Sequence, residues 1–483
     1  MAAPIYSYRP EIKIEILDND VTINLGDKGS CTIRKNLYQP AGEFQLIFPD
    51  LPYKGGWLGD ESNSTMARES LYGLVNPMDR IIIWVRRWRD GTQSIEPWIP
   101  VLTGFVRSVG RDEQVGPDGR VDRQVVIAGH DCGATFLMEQ AALFISYGNQ
   151  NWSSPFPDPR FTAFAWLREY GLIHEAQKIE DFIWEVASKT TLPIMKTADF
   201  EFQKKFYVQK GTIQPHSAFT QEGAIWEMLY RYADGPWNEL FVRENRNMLD
   251  EKGNGKPGVD YREKKMIDPE LVFRPTPWLD WQENPLPDVN MESVTMWNVK
   301  LAHVLALRAH RDDSELVNHV WVQTPLAMAA AYTQTVKNTN RGLVNPDTRD
   351  KFGDRMQVLP THLWPTDFKH APINLPMAEQ KQADDKQWEW AKERRDWMLK
   401  AQDHIHEFER GSMTLKGYPM MRVGDYFRLH RGDIVWIGYI TNIVHDFQPY
   451  RRYLTTMDYI RGNQAKIRRT LDNPWDQERK TGN

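Results

Sequence analysis

Two cysteines in 483 residues, Cys31 and Cys132, give this chain no disulfide framework and point to assembly in a reducing compartment. No apolar run approaches ~18 residues, which excludes a membrane-spanning helix. Residues 1–7 have neither a basic segment nor an apolar core, so no signal peptide is expected there. An excess of positive charge is also missing. The 60 Lys and Arg stand against 65 Asp and Glu, a formal net charge of −5. A protein that holds nucleic acid through phosphate contacts carries the opposite balance.

Catalytic signatures are missing as well. Gly253-Asn254-Gly255-Lys256-Pro257 lacks the spacing and the Ser or Thr of a phosphate loop, and its proline blocks the helix that should follow. It reads as a hairpin tip. His130-Asp131-Cys132 places three reactive types side by side, but adjacent strand residues face opposite ways and form no nucleophile–base pair. His404 and His406 are two apart, whereas a metal pair on a helix needs three or four. His303, His310 and His319 lie on or beside neighbouring strand segments without cysteine nearby. Asp312 and Asp313 share a turn rather than facing across a cleft. Arg431-Gly432-Asp433 is what a hairpin turn uses. No catalytic residue, cofactor-binding residue or metal ligand is assigned, no cofactor is expected, and the chain is read as a non-enzyme.

What remains is the composition of a soluble globular protein, 41% hydrophobic and 26% charged, long enough for several domains. Nineteen Trp and thirty Pro are its unusual counts. Tryptophan at this level serves interfaces, core packing or sugar platforms.

Strand patterns dominate. Ile12, Ile14 and Ile16 alternate with Lys13 and Glu15 over 11–17, and further strands are expected at 29–36, 43–48, 80–87, 101–109 and 123–128. Residues 52–74 read as a long excursion, and 116–119 (Gly-Pro-Asp-Gly) as a turn. Near the C-terminus, 425–430, 433–444 and 453–460 form a second strand set. Gly104-Phe105-Val106-Arg107-Ser108-Val109 matches Gly438-Tyr439-Ile440-Thr441-Asn442-Ile443 in chemical type. Asp79 and Asp425 lead the preceding strands, and Gly129 and Gly462 follow at 25 and 24 residues. Order and spacing together point to an internal duplication.

The fold class expected is mainly β with α+β parts: two tube-protein-like β-barrels, a mixed α/β middle domain and a helical insertion. Residues 1–131 form the first barrel and 132–290 the middle domain. The middle domain carries helices at 134–144, 179–190 and 224–232, a Pro-rich break at 153–160, and a strand pair, 238–243 with 270–274. Residues 291–325, with strands at 295–299, 304–309 and 317–323, open a second barrel that 411–462 completes. The insertion 326–410 holds helices at 327–337 and 376–408, and 463–483 is a tail. Trp390 and Trp397, seven apart, lie on one face of the long helix and are expected to dock it on a neighbouring element or subunit.

Gly417-Tyr418-Pro419, Arg422-Val423-Gly424-Asp425, Gly438-Tyr439-Ile440, Val444-His445-Asp446-Phe447 and Tyr453-Leu454-Thr455-Thr456 together resemble a known pattern. It is the C-terminal barrel of baseplate hub proteins of contractile phage tails, a group that includes late control protein D and the hub portion of type VI secretion spikes (VgrG). Gly235-Pro236-Trp237-Asn238-Glu239-Leu240-Phe241, running to Leu271-Val272-Phe273-Arg274-Pro275-Thr276-Pro277-Trp278, is similar to a stretch of phage tail hub proteins. The resemblance implies a structural virion protein of the tail baseplate, assembled in the host cytoplasm. It implies a homotrimer joining a sixfold tail tube protein to a threefold central spike protein, beside other baseplate (wedge) proteins. Genome DNA would pass through its channel without specific binding. The insertion 326–410 departs from the pattern, and no lysozyme domain or spike-like β-helix is fused. The alternative reading from tryptophan content is a glycan-binding or glycan-degrading tail-associated β protein.

Overall fold

Strict alternation builds the first three strands, whereas the two that follow them in the chain bury runs of consecutive residues, 81–85 and 99–106. β1 (Tyr8–Ile16) buries Ile12, Ile14 and Ile16, β2 (Ser30–Asn36) buries Cys31, Ile33 and Lys35, and β3 (Glu43–Pro49) buries Phe44, Leu46 and Phe48. β4 (Arg80–Arg89), β5 (Ile99–Val115) and β6 (Val121–Asp131) complete the set. Their spatial order is β1-β4-β5-β6-β3-β2, with every neighbour antiparallel. The inward side chains pack into one apolar cluster, each contributing about 1.5–3 kcal/mol. The structure is a computed structural model and describes residues 8–52, 70–89, 97–115, 119, 121–138, 140–142, 177–208, 210–213, 222–249, 256, 260, 263–323, 343–344, 346–365, 377–431 and 434–463. The excursion 52–74, the turn at 116–119, the break at 153–160, the tip at 253–257, the helix at 327–337 and the tail lie wholly or partly outside these residues.

The middle region is mixed α and β. Helix α1 (Ile179–Thr190) and helix α2 (Ile225–Tyr232) cover β7 (Asn238–Arg243) and β8 (Glu270–Pro275), an antiparallel pair buried at every residue. The helix expected over 134–144 is one turn, Thr135–Met138. Gln140–Ala142 instead pairs with Glu222–Ala224, and that backbone partner overrides the helix preference of two alanines.

The second strand set contains β9 (Met296–Lys300) and β10 (Val304–His310). The next strand, β11 (His319–Gln323), does not join them. It pairs with Leu343–Val344 and Met356–Pro360 in a separate three-stranded sheet, which corrects the assignment of 317–323 to the second barrel. Val320 and Val322 face Ala391, Trp397, Met398 and Ala401 of the long helix α3 (Met377–Gln402), so this strand is held by the insertion. Trp390 and Trp397 of the helix both turn into their own chain. Trp397 stacks on Trp278 with centroids 5.6 Å apart, and Trp390 lies under the Arg394 guanidinium at 4.3 Å. Their occupant is a neighbouring element rather than a second subunit. β12 (Glu409–Lys416), β13 (Tyr426–Arg431), β14 (Ile434–Gln448) and β15 (Arg452–Asn463) complete the set, in the order β9-β13-β14-β15-β12-β10.

This order repeats the first. Taken in chain sequence, each set places its strands 1-4-5-6-3-2. The match extends to single residues. Val106 N–H donates to Asp79 O at 2.9 Å and Ile440 N–H to Asp425 O at 3.0 Å; in return Met78 and Gly424 donate to Val106 O and Ile440 O. Met78 and Gly424 both hold a left-handed backbone, φ 74° and 77°. A β-bulge follows in each copy at the same step, Val106/Ser108 and Ile440/Asn442.

Two details differ. Gly129 pairs with Val106, whereas Ile440 pairs with Tyr459, so the counterpart of Gly129 is Tyr459 and not Gly462. β1 also runs antiparallel to β4, whereas β9 runs parallel to β13. Thr295 and Tyr426 are bonded at one end around Asp425, so β9 and β13 start from the same point.

The two sets are not separate sheets. β14 pairs with β2 from Asn442–Asn36 to Phe447–Cys31, which fuses them into one sheet of thirteen strands that includes Asn19–Asp20. Eight consecutive strands, β10-β12-β15-β14-β2-β3-β6-β5, are antiparallel throughout.

Candidate functional site

Two features have the geometry for a function: a polar face shared by both strand sets, and a buried ionic network behind it. The face follows from the register. One cross-strand row runs Thr414, Thr456, Val444, Arg34, Glu43, His130, passing from the second set to the first without a break. The next runs Lys416, Leu454, Asp446, Thr32, Gln45, Ala128, Ser108. All these residues are half-buried or exposed, while their neighbours in sequence point into the cores. Arg34 stands opposite Glu43, and Asp446 is paired with Arg452 at 2.6 Å. A groove of 580 Å³ on this face is lined by Thr32, Arg34, Glu43, Gln45, Ser108 and His130, among others. Its charged lining is Arg34 and Arg107 with Glu43, so both signs of charge meet on it.

The network joins the middle region to the second strand set. Arg274, fully buried, donates from Nε to Glu239 Oε1 at 2.6 Å and reaches the carbonyls of Ser293 and Gly424. Tyr439 donates its hydroxyl to the same Glu239 at 2.7 Å. Beside it, Arg243 bridges Glu270 at 2.9 Å and Asp425 at 3.1 Å, and Arg422 meets the same two carboxylates at 3.3 and 3.1 Å. Trp297 Nε1 also donates to Asp425. Burial alone would raise the Asp425 carboxyl, but Arg422, Arg243 and Arg274 hold it below the ordinary carboxylate value. At the inner end of the first set, Lys35 bridges Asp131 at 2.7 Å and Glu244 at 2.6 Å. The three guanidinium groups and three carboxylates of the first two clusters each have a partner, which suits a rigid link.

The Glu239 and Arg274 positions lie in the two stretches that resembled tail hub proteins. Arg422 and Asp425 lie in the quoted stretch Arg422-Val423-Gly424-Asp425, whereas Arg243 and Glu270 were not singled out from sequence. The available signal was charge at inward positions of strands otherwise filled with Leu, Val and Phe.

His445 sits at the seam, opposite Ile33 on β2. Its Nδ1 is 3.0 Å from the Tyr453 hydroxyl and 3.1 Å from Thr455 Oγ1. Burial, with Arg246 nearby, lowers its pKa to about 3, so the ring is neutral.

The remaining candidates are dispersed. His303 Nδ1 lies 2.6 Å from the Tyr418 hydroxyl, His310 is beside Asp312, and His319 meets Asp354 at 3.1 Å. His404 and Glu407 pair at 3.1 Å, with His406 stacked alongside. Asp312 and Asp313 engage Arg410 and Arg355. Asp131 is taken by Lys35, and Cys132 is buried with its thiol pushed up by burial. Among the described residues no three His, Cys, Asp or Glu are grouped to hold a metal ion.

Neither a protein-family model nor a curated protein matches the sequence. Solved structures do. The chain is similar to the 43 kDa tail protein of prophage MuSo2 from Shewanella oneidensis, at 11% identity and TM-score 0.45, over 94% of this chain and 97% of that one. It is similar to a tail protein from Neisseria meningitidis MC58, at 10% identity and TM-score 0.45, over 93% and 96%. A component of the type VI secretion system of E. coli is similar at 7% identity and TM-score 0.39, over 95% and 78%.

Proposed function

We propose that this chain is the central hub of a tail baseplate, a structural virion protein that trimerises and joins a sixfold tail tube to a threefold spike. One observation carries the reading: a single chain holds the same six-strand order twice, in one continuous sheet with one shared polar face. Three such chains present six equivalent segments to a sixfold partner while keeping threefold symmetry for the other. The mixed-charge face suits a channel lining that lets DNA pass without retaining it. The buried ionic network suits a part that must transmit force without deforming.

The partners in this reading are the tail tube protein, the central spike protein and the surrounding baseplate (wedge) proteins. The place is the virion tail, and no reaction is assigned. The motivation for a glycan-binding reading weakens on inspection of the tryptophans. Trp84, Trp226, Trp237, Trp297, Trp364, Trp390, Trp397 and Trp436 are all buried, so they pack cores rather than offering sugar platforms.

Sedimentation of the purified chain, alone and with tube or spike protein, is expected to give a particle of three copies. A chain that stays monomeric under all these conditions contradicts the hub reading.

A further inference from the structure

The internal repeat specifies how two copies of the chain meet. Residues 442–447 of β14 lie beyond the reach of β13 and are taken by β2. Their counterparts in the first set, fixed by the shared bulge, are 108–113 of β5, which lie beyond the reach of β4. Among the described residues no strand pairs with them on the side away from β6. The counterpart of β2 is β10, the opposite end of the eight-strand ribbon, and among the described residues it pairs only with β12. The chain thus exposes one copy of each edge that it joins internally, and open edges of this kind invite pairing.

We propose that 108–113 of one copy pairs antiparallel with β10 of a second copy, in the register of the internal seam. The registers of the two sets transfer directly. Thr32 corresponds to Arg308 and Arg34 to His310, through Gln45 with Ser412 and Glu43 with Arg410. The internal pairs Asn442–Asn36, Val444–Arg34 and Asp446–Thr32 then become Ser108–Asp312, Gly110–His310 and Asp112–Arg308 between copies. Asp112 and Arg308, both exposed, come opposite each other with complementary charge. The contact is heterologous, head to tail, so it propagates round a ring rather than stopping at a pair. The inference rests on the ring-forming hub reading and adds to it the residues that meet.

The register is testable by cross-linking. Leu37 N–H donates to Thr441 O at 2.8 Å, which makes that pair hydrogen-bonded and Val444–Arg34, three steps on, a close non-bonded pair. Its counterpart Gly110–His310 therefore brings Cα atoms to about 4.5–5.5 Å, within disulfide reach. A Cβ on Gly110 meets nothing nearer than Val126 O at 3.9 Å, and both native cysteines are buried. The chain carrying Gly110→Cys and His310→Cys, mildly oxidised, is expected to run as covalent multimers in denaturing gels without reductant and as single chains with it. The control with Gly110→Cys and Ala309→Cys places the second thiol on the other face and is expected to give no such ladder. An oligomer, assembled by sedimentation, that never forms the link, or links equally in the control, overturns the strand junction and leaves the hub reading standing. A chain that sediments as a monomer overturns both.

Discussion

Replacing Arg274 by Met is expected to destabilise the chain by about 3–5 kcal/mol, read as a shift in denaturant midpoint at constant slope. The side chain is fully buried, and its loss leaves Glu239, among the described residues, with the Tyr439 hydroxyl alone and the Ser293 and Gly424 carbonyls without that donor. An unpaired carboxylate in such a place costs more than the pair ever contributed, because desolvation is no longer offset. The double variant Arg274→Met, Glu239→Leu removes the stranded charge and is expected to recover most of the loss. Arg123→Met, which breaks the exposed pair with Glu113 at 3.2 Å, is expected to stay within about 0.5 kcal/mol of the parent. Equal losses for Arg274→Met and for the double variant would mean that packing, not charge, holds the site.

Acid is expected to act at the seam through His445. Its pKa in the fold is about 3, against 6.5 for the free side chain. Between these values the unfolded chain binds a proton that the folded chain does not. The contribution is therefore fully present above pH 6.5 and is lost as pH falls, by about 1.4 kcal/mol per unit. Between pH 6.5 and 4.5 this amounts to about 2 kcal/mol. His303, lowered to about 4, and the depressed Glu270 and Asp425 slope the same way, while Asp131 and Asp234, raised by burial, slope the opposite way, so the informative quantity is the difference between the parent and His445→Gln. That difference is expected to shrink through this window as the parent loses its advantage. A difference that stays constant from pH 6.5 to 4.5 would show that the ring takes up its proton in the folded state.

Much of the sheet was legible because a half-buried strand carries its own period. Ile12, Ile14 and Ile16, or Phe44, Leu46 and Phe48, announce both a strand and its inward face. The pair Asn238–Arg243 and Glu270–Pro275, buried at every residue, was legible instead as two short apolar runs, and the helix Ile179–Thr190 by its own longer period. The repeat was legible at Gly104 and Gly438, which leave room for the His130 backbone in one copy and the Phe427 ring in the other. Its extent was not. The equivalence of Met78 with Gly424 lies in φ, which residue type conceals when one partner is methionine. Gly462 matched Gly129 in letter and spacing, but register follows hydrogen bonds, and these set Tyr459 there.

The misplacement of β11 has a similar cause. Val320 and Val322 alternate as any half-buried strand does, and periodicity does not say which sheet receives it. Nor did the tryptophan stripe of α3 reveal its occupant, because an apolar face reads alike whether its own chain or another covers it. The buried network was the least visible part. Its members are separated by up to 200 residues, and only the fold brings Glu239 to Tyr439.

The most direct test of the account is an averaged projection image of the purified oligomer. Six similar lobes around an open centre, with true threefold and approximate sixfold symmetry, are what two equivalent segments per chain predict. Three lobes, or a closed particle without a central opening, would contradict it.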